Sequence, residues 1–275
     1  MNLIMKNILI SGYTGFLGKS LISCLRKKNF NLYFLHRDNL KSTRRKINLK
    51  KITLFKNFVQ KNKIDTFIHL AWEGIPNFSK KNLDKNYQLS KKILKYINTT
   101  SIKTVFISGS CFEYGKVNGK ISENTKLNYS KNSFGNFKDK IRNLYEKKLK
   151  KDKNFFWGRV FYVYGPYQRS GSLIPSLITS LKKKGEFDLK TPMSFRDYIY
   201  VDDVSSAIIT ICQKGKDKIY NIGTGVPTLN YIILEKICNL KKINLNYSKV
   251  LGEQNIAEGF WADISKLNKL GWAPK

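Results

Sequence analysis

Three glycines between an apolar run and a helical pattern constrain the fold of this chain most strongly. The run "NILISG" (7–12) has the composition of a buried strand, and "FLGKSLISCLRKKN" (16–29) repeats apolar residues at helical intervals. Between them, "SGYTGFLG" places Gly12, Gly15 and Gly18 three residues apart. A strand that turns this tightly into a helix is typical of the first unit of a parallel sheet.

The same alternation of strand and helix continues along the chain. Apolar runs recur at 31–37, 65–72, 103–110 and 155–165, and a helical pattern covers 84–100. This order predicts an α/β fold, a Rossmann-type parallel sheet with helices on both faces. The pattern becomes irregular after Gly165 and returns to strand and helix at 198–225.

We therefore predict two parts with a ligand cleft between them, at the carboxyl ends of the strands. The dinucleotide-binding domain comprises 1–165, with 198–225 returning to it. A smaller C-terminal substrate-binding lobe comprises 166–197 and 226–275.

Composition argues against several classes of protein. No run of 18 apolar residues occurs, and the first residues lack the features of a secretory signal, so we expect no membrane association and a cytoplasmic location. The four cysteines, at positions 24, 111, 212 and 238, are too far apart for a metal site or a disulfide framework.

The net charge of +32 raises the question of nucleic-acid binding. Only eight of the 51 basic residues are arginine, and the lysines are spread over the whole chain. This distribution favours a solvated lysine-rich surface, and we expect no nucleic-acid partner. Such a surface would still attract a small phosphorylated substrate.

The glycine pattern also predicts a ligand. Glycines let the backbone approach a pyrophosphate, and the N-terminus of the following helix favours its negative charge, so we expect a dinucleotide here. NAD enzymes usually carry an acidic residue at the end of the second strand, where this chain has His36 followed by Arg37. We favour NADP(H), with Arg37 on the extra phosphate. NAD(H) stays open, because Arg37 can also be one surface cation among many.

The ordered set of motifs resembles a known family. It comprises "SGYTGFLG", "HLAW", "ISGSCFEYG", "FGNFK", "RVFYVYGP", "FRDYIYVDDV", "YNIGTG" and "WADISKLNKLGW". Together they resemble the extended short-chain dehydrogenase/reductases, the NAD(P)-dependent epimerase/dehydratase family that acts on nucleotide sugars. Dehydratases of this family have an Asp-Glu pair where this chain has Cys111 and Phe112, and 4-epimerases have an asparagine in place of Tyr162. The segments "GSCFEYG" and "WGRVFYVYG" resemble those of 4-keto-6-deoxyhexose reductases such as CDP-abequose and CDP-paratose synthases.

The resemblance implies roles for individual residues. The cofactor would be held by Gly12, Thr14, Gly15, Phe16, Leu17, Gly18, His36, Arg37, Leu70, Ala71, Trp72, Asn86, Ser108 and Lys138. The substrate, a CDP- or dTDP-linked sugar, would contact Ser110, Cys111, Phe112, Tyr162, Gln168, Ser172, Leu173 and Arg196. Arg196 would grip the diphosphate, although an ion pair with Asp197 or Asp202 is an alternative. Asn86 can equally be a surface residue. The family also implies a homodimer formed through the helices near 84–100 and 134–150.

The catalytic set that the resemblance implies is incomplete. Reduction in this family uses a serine or threonine, a tyrosine that protonates the sugar oxygen, and a lysine four residues after the tyrosine. Here Ser110 and Lys138 are present, but Phe134 occupies the tyrosine position. Three explanations stay open, namely an engineered Tyr→Phe change, a natural variant that uses Tyr129, Cys111 or Tyr162 as donor, and an inactive binding protein.

The leading hypothesis is an NADPH-dependent reductase of a nucleotide-linked 4-keto-6-deoxy sugar, in the synthesis of bacterial surface polysaccharide, impaired by Phe134. A 4-epimerase and a non-catalytic binding protein for NADP or a nucleotide sugar are the alternatives.

Overall fold

A computed structural model of the protein describes residues 3, 5–36, 43–131, 133–184, 189–244 and 258–275. Seven parallel strands form its main sheet in the spatial order β11-β7-β5-β4-β1-β2-β3. They are β1 (Asn7–Ser11), β2 (Asn31–Leu35), β3 (Lys46–Ile47), β4 (Thr66–His69), β5 (Thr104–Ser110), β7 (Asn154–Val160) and β11 (Ile219–Ile222). The chain moves from β1 to one edge and then returns past β1 to β4. That reversal opens a crevice above the carboxyl ends of β1 and β4.

Helices cover both faces of this sheet, as the sequence predicts. They are α1 (Phe16–Arg26), α2 (Ile52–Lys61), α3 (Lys80–Ile97), α4 (Phe134–Lys148) and α6 (Val201–Lys214). Ile8 and Ile10 of β1 pack in the core with α1 and α6, whereas Leu9 packs in the core with α2 and α3. This alternation follows from the two-residue period of a strand.

Smaller elements form a layer beside the carboxyl edge of the main sheet. A four-stranded sheet has the order β12-β9-β13-β6, and β8 pairs in parallel with β10. Their bounds are β6 (Gly119–Ile121), β8 (Tyr162–Tyr164), β9 (Phe195–Arg196), β10 (Tyr198–Tyr200), β12 (Thr228–Leu229) and β13 (Gly259–Ala262). The helices of this region are α5 (Leu173–Lys184), α7 (Asn230–Lys241) and the short α8 (Ser265–Asn268), and a 3-10 turn spans Cys111–Glu113.

One carboxylate joins the two layers. Asp197 lies between β9 and β10 and is fully buried. It accepts hydrogen bonds from the backbone nitrogens of Thr224 (2.7 Å), Gly225 (2.9 Å) and Ala262 (3.0 Å). The loop after β11 and the strand β13 are therefore held by the same side chain, which fixes the smaller sheet relative to the main one.

The structure adds detail that the sequence patterns did not give. The apolar run 155–165, predicted as one strand, divides at Phe161 into β7 of the main sheet and β8 of the small parallel pair. The division into domain and lobe stays a proposal, and two packing contacts cross it. Strand β6 joins the smaller sheet, and Trp272 packs in the main core with Ile8. Among the described residues, no helix has both the length and the apolar character needed to cross a membrane.

Candidate active site

The glycine-rich turn is built for close approach of a ligand. Gly12 has a φ of +73°, and a Cβ atom there would lie 2.6 Å from the backbone nitrogen of Ala71. A Cβ atom on Gly18 would lie 2.7 Å from the Cα atom of Tyr13. Gly15 is the N-cap of α1, so no side chain caps the first N–H groups of the helix. Those groups are suited to an anionic ligand.

A cavity of about 770 Å³ extends from this turn along the carboxyl edge of the sheet. This volume lies within the range of small-molecule and cofactor sites. The cradle of glycines, the uncapped helix terminus and the cavity together fit a nicotinamide dinucleotide. The predicted cofactor residues found in its lining are Gly12, Thr14, Gly15, His36, Leu70, Ala71, Trp72 and Asn86.

The remaining cofactor residues are placed differently. Phe16, Leu17 and Gly18 form the first turn of α1, beside the cavity but outside its lining. Ser108 is buried in β5, and its carbonyl oxygen accepts a hydrogen bond from Lys138. Arg37 lies outside the described residues, so its predicted contact with a phosphate stays a prediction.

Asn86 has a buried position rather than the surface position that we kept as an alternative. It is 4% exposed, and its side-chain amide donates to the carbonyl oxygen of Glu73 at 2.9 Å while its amide oxygen accepts from the nitrogen of the same residue at 2.9 Å. Lys85 adds an ion pair to the Glu73 carboxylate. These contacts fix the loop after β4 against α3, which holds one wall of the cavity.

Ser110 is fixed at the end of β5 by a buried carboxylate. The Oε1 atom of Glu113 accepts a hydrogen bond from the Ser110 nitrogen at 2.8 Å, and the Ser110 Oγ accepts from the nitrogen of Phe112 at 3.3 Å. Trp157 Nε1 and Arg159 Nε each donate to the Glu113 carboxylate at 2.9 Å. Glu113 is completely buried, and this burial raises the pKa of its carboxyl group. The serine hydroxyl is thus presented from a rigid support.

Lys138 points from α4 toward the end of β5. Its side chain is 5% exposed, its Nζ donates to the carbonyl oxygen of Ser108 at 2.7 Å, and the same atom lies 4.2 Å from the centre of the Trp72 ring. Burial lowers the pKa of Lys138 to about 8, and the charge of Glu113 opposes this shift. The ammonium therefore lies between the Ser108 carbonyl of β5 and the tryptophan that lines the cavity.

A histidine in the lining of the cofactor cavity has a strongly lowered pKa. His69 ends β4, and its Nδ1 lies 2.5 Å from Ser11 Oγ at the end of β1. Burial, and secondarily the charge of Lys138, lower the pKa of His69 to about 3. The side chain thus contributes a polar contact to the cavity without adding a second cation beside Lys138.

Phe134 begins α4 and shares a face with Lys138, as the four-residue spacing predicts. The Lys138 Nζ lies 5.6 Å from the centre of the Phe134 ring. Three further rings surround Phe134, with centroid distances of 5.0 Å to Trp72, 4.6 Å to Phe78 and 6.2 Å to Phe112. At the position where the family has a phenol, this chain therefore has a phenyl ring packed among aromatic neighbours.

Each of the three other proton donors considered from the sequence has a hydrogen-bond partner or a raised pKa. The Tyr129 hydroxyl donates to Asp139 at 2.8 Å. Cys111 is buried, and burial raises the pKa of its thiol. Tyr162 belongs to a second cavity, and burial raises the pKa of its phenol.

This second cavity, of about 590 Å³, is lined by residues of β9 and β13 of the smaller sheet, by Tyr162 of β8 and by the loop before β6. The Arg196 guanidinium lies 5.3 Å from the centre of the Tyr162 ring, and its Nη1 donates to the carbonyl of Phe195. The ion pair considered from the sequence is not formed, because Asp197 holds backbone groups and Asp202 accepts from a serine of α1. The lining comprises Lys116, Val117, Asn118, Tyr162, Ser194, Arg196, Glu258, Gly259 and Phe260.

Of the predicted substrate residues, only Tyr162 and Arg196 are in a cavity lining. The six others lie outside both linings, namely Ser110, Cys111, Phe112, Gln168, Ser172 and Leu173. The Gln168 Nε2 donates to the carbonyl of Val163 at 2.8 Å, and the Ser172 Oγ accepts from Arg169. Leu173 packs against the core between α5 and α7. Their predicted contact with substrate stays a prediction.

Sequence reasoning missed several residues of the site. Phe78 belongs to no recognised motif, and its contact with Phe134 appears only in the structure. Glu113 could have been predicted as a buried, partnered carboxylate, because it is an acidic residue between Phe112 and Tyr114 at the end of a buried strand. Lys116 and Glu258 could not be found, since strand pairing brings them together from distant parts of the chain.

Comparison with known proteins agrees with this arrangement. The chain is 29% identical to dTDP-D-glucose 4,6-dehydratase of Dictyostelium discoideum, over 87% of this chain and 63% of that protein, so it spans less than two thirds of this relative. It is 28% identical to dTDP-4-dehydro-6-deoxyglucose reductase of Escherichia coli (97% and 92% covered) and 28% identical to CDP-abequose synthase of Salmonella typhimurium (82% and 77% covered).

Among solved structures, UDP-glucose 4-epimerase of Thermotoga maritima with UDP-glucose has a TM-score of 0.79 at 20% identity, covering 98% of this chain and 94% of that one. At this identity the likeness concerns the fold. The model of the NAD dependent epimerase/dehydratase family matches residues 8–223. With its glycine cradle, its parallel sheet, its buried lysine beside Trp72 and this match over most of its length, the chain belongs to the NAD dependent epimerase/dehydratase family.

Proposed function

We propose that this protein is an NADPH-dependent reductase of the C4 keto group of a nucleotide-diphospho-4-keto-6-deoxyhexose, serving surface polysaccharide synthesis, and that Phe134 strongly impairs it. The observation that supports the proposal is that Lys138 and Phe134 share one face of α4, where Lys138 bonds to the Ser108 carbonyl of β5 and Phe134 packs on Phe112, two residues after Ser110. Relatives named as a reductase and as a CDP-abequose synthase support this reaction class.

The roles of the residues follow from their positions. A bound reduced nicotinamide would supply the hydride to C4. Ser110, whose backbone nitrogen is held by Glu113, would donate a hydrogen bond from its hydroxyl to the carbonyl oxygen. The Lys138 ammonium would hold the cofactor ribose and favour negative charge at that oxygen. Phe134 brings no hydroxyl to this point, so the proton must come from water or from a slower donor.

The second cavity would hold the nucleotide diphosphate. Arg196 and Lys116 supply two cations there, and a guanidinium suits a diphosphate because it donates two parallel hydrogen bonds. The substrate would be a CDP- or dTDP-linked sugar. For the cofactor, the absence of an acid at the end of β2, where His36 stands, and the following Arg37 favour NADP(H) over NAD(H). A homodimer through α3 and α4 is part of the proposal by resemblance only.

One observation favours a second candidate, a non-catalytic protein that binds NADP or a nucleotide sugar. Phe134 is stacked on Phe78 with an interplanar angle of 27°, and its edge contacts involve Trp72 and Phe112. A phenyl ring integrated into such a cluster is consistent with a site that has lost the proton donor while keeping the binding surface.

The test is Phe134→Tyr, followed through NADPH absorbance with CDP- and dTDP-linked 4-keto-6-deoxyglucose. A general acid is worth about 10²- to 10⁴-fold, so we expect a gain of at least about a hundredfold in turnover. The double variant Phe134→Tyr/Lys138→Met is the matched control, because it has the new hydroxyl without the lysine and should lose the gain.

The other outcomes separate the candidates. Tight NADPH binding without turnover in Phe134→Tyr, with both sugars, would refute the reductase and favour the binding protein. Tightly held NAD in the purified protein, with interconversion of nucleotide sugars and no demand for NADPH, would indicate a 4-epimerase instead.

A further inference from the structure

A continuous surface of aromatic rings runs between the two cavities. We call it the aromatic wall and define it by Trp72, Phe78, Phe134, Phe112 and Tyr162. Phe134 contacts the first two and Phe112, and Phe112 lies 5.9 Å from Tyr162 between ring centroids. Phe134 and Phe112 therefore connect the other three rings, and the Lys138 ammonium lies over Trp72 and Phe134.

The ends of the aromatic wall coincide with the two cavities. Trp72 lines the dinucleotide cavity, and Tyr162 lines the second cavity beside Arg196. A ligand that is held at Arg196 by its phosphates and reaches Ser110 with its reacting carbon must pass in front of Phe112 and Phe134. The part of the ligand that makes this crossing is the glycosyl ring.

Two rings of the aromatic wall are open to solvent. Phe112 is 52% exposed and Phe78 is 39% exposed, although both belong to a cluster that could have been buried. Large exposed aromatic residues beside a cleft mark a surface that is covered by a ligand or partner. Here the two cavities at its ends define which ligand covers it.

The chemistry of the aromatic wall determines which face of a sugar can lie against it. Its three phenyl rings offer no hydrogen-bond donor or acceptor, so a sugar hydroxyl pressed against them would lose water without gaining a partner. A methyl group or a row of C–H bonds has no hydrogen bonds to water to lose in the same contact. Such a group is stabilised there because apolar surface is removed from water.

We propose that the aromatic wall, with Phe112 at its centre, is a subsite for the deoxygenated face of the sugar and distinguishes a C6 methyl group from a C6 hydroxymethyl group. This inference rests on the proposed function and specifies its substrate class. It makes Phe112 and Phe78 specificity residues, with no part in proton transfer.

The test measures binding and needs no turnover. Calorimetry with dTDP, CDP and UDP first identifies the nucleotide that binds. The chain is then titrated with two sugars on that nucleotide that differ only at C6, namely the glucose and the 6-deoxyglucose derivatives. A hydrophobic contact with one small group discriminates by about 10- to 100-fold, so we expect the 6-deoxy compound to bind at least tenfold more tightly.

Phe112→Ser should reduce this preference to less than about threefold while keeping the affinity for the bare nucleotide. Phe112→Leu, which keeps an apolar side chain, should retain most of it and serves as a second variant if the serine form is poorly folded. Leu240→Ser is the matched control, because Leu240 is 84% exposed on α7, outside the linings of both cavities, and its loss should leave the preference intact.

Equal affinity for the two sugars, or an undiminished preference in Phe112→Ser, would overturn the role of the aromatic wall and leave the reductase proposal standing. Failure of every nucleotide and nucleotide sugar to bind would overturn both.

Discussion

Replacing Lys138 by methionine should change how the stability of the protein depends on pH. The side chain is almost fully buried and carries one ammonium whose hydrogen bond goes to the carbonyl oxygen of Ser108. Burial lowers its pKa from 10.5 to about 8. The unfolded chain therefore binds this proton more tightly than the folded one, and the charged lysine opposes folding most strongly below pH 8.

The size of the effect follows from the two pKa values. At about 1.36 kcal/mol per unit, the shift corresponds to about 3 kcal/mol of destabilisation at neutral pH. The penalty decreases as the folded protein loses the proton above pH 8, and disappears above 10.5. Between pH 7 and pH 9 the penalty falls by about 1 kcal/mol. Removing the lysine also leaves the Ser108 oxygen without its donor, which costs about 1–3 kcal/mol at every pH.

The pH dependence is therefore the informative quantity, and the absolute stability is not. Urea unfolding of the wild type and of Lys138→Met, followed by tryptophan fluorescence at pH 7, 8 and 9, gives the two free energies of unfolding. Lys140→Met, on the exposed side of the same helix, controls for the loss of one positive charge. We expect the free energy of Lys138→Met, relative to the wild type, to fall by about 1 kcal/mol between pH 7 and pH 9.

The reasoning is refuted if the free energy of unfolding of Lys138→Met relative to the wild type stays constant or rises between pH 7 and pH 9. A constant value would mean that the lysine keeps its ordinary pKa in the folded protein, so that the site around it is more hydrated than its burial indicates.

Two further predictions concern Gly12 of the glycine-rich turn and Glu113, which holds the backbone of Ser110. Gly12→Ala should weaken NADPH binding at least tenfold in a fluorescence titration, because a Cβ atom at φ +73° meets the backbone of Ala71, whereas Gly171→Ala, with open space around it, should bind normally. Glu113→Leu should lower the free energy of unfolding by about 3–5 kcal/mol, because it leaves the buried Arg159 charge without its partner. A loss below about 1 kcal/mol in urea unfolding would contradict the second expectation.

The main sheet could be predicted well because its signals are local. The run "NILISG", the glycine turn and the helix after it carry their pattern within 23 residues, and the structure places β1 and α1 there. Helix α2 was missed although Ile52, Phe55 and Val59 repeat at helical spacing, because lysines and polar residues between them dilute a ten-residue pattern. Strand β3, with two residues, is too short to carry a period.

The site could be predicted only where a residue belongs to a local motif. Ser110 and Lys138 stand in recognisable segments, and the fold brings them to the same edge of the sheet. The surroundings of Phe134 depend on contacts between separate elements, namely the loop after β4, the 3-10 turn and α4. Neither the aromatic packing nor the buried partners of Glu113 can be read from spacing, because they depend on tertiary structure.

The smaller sheet also sets an order in which the protein can be completed during synthesis. Residues that line the dinucleotide cavity lie between positions 11 and 93, whereas β6 pairs with β13 across about 140 residues of chain. At about 5–20 residues per second, the ribosome reaches β13 some seven seconds or more after β6. During that interval β6 has no partner strand, and the second cavity lacks Gly259 and Phe260. The two cavities thus differ in contact order, and the one beside Arg196 is completed only when nearly the whole chain has emerged.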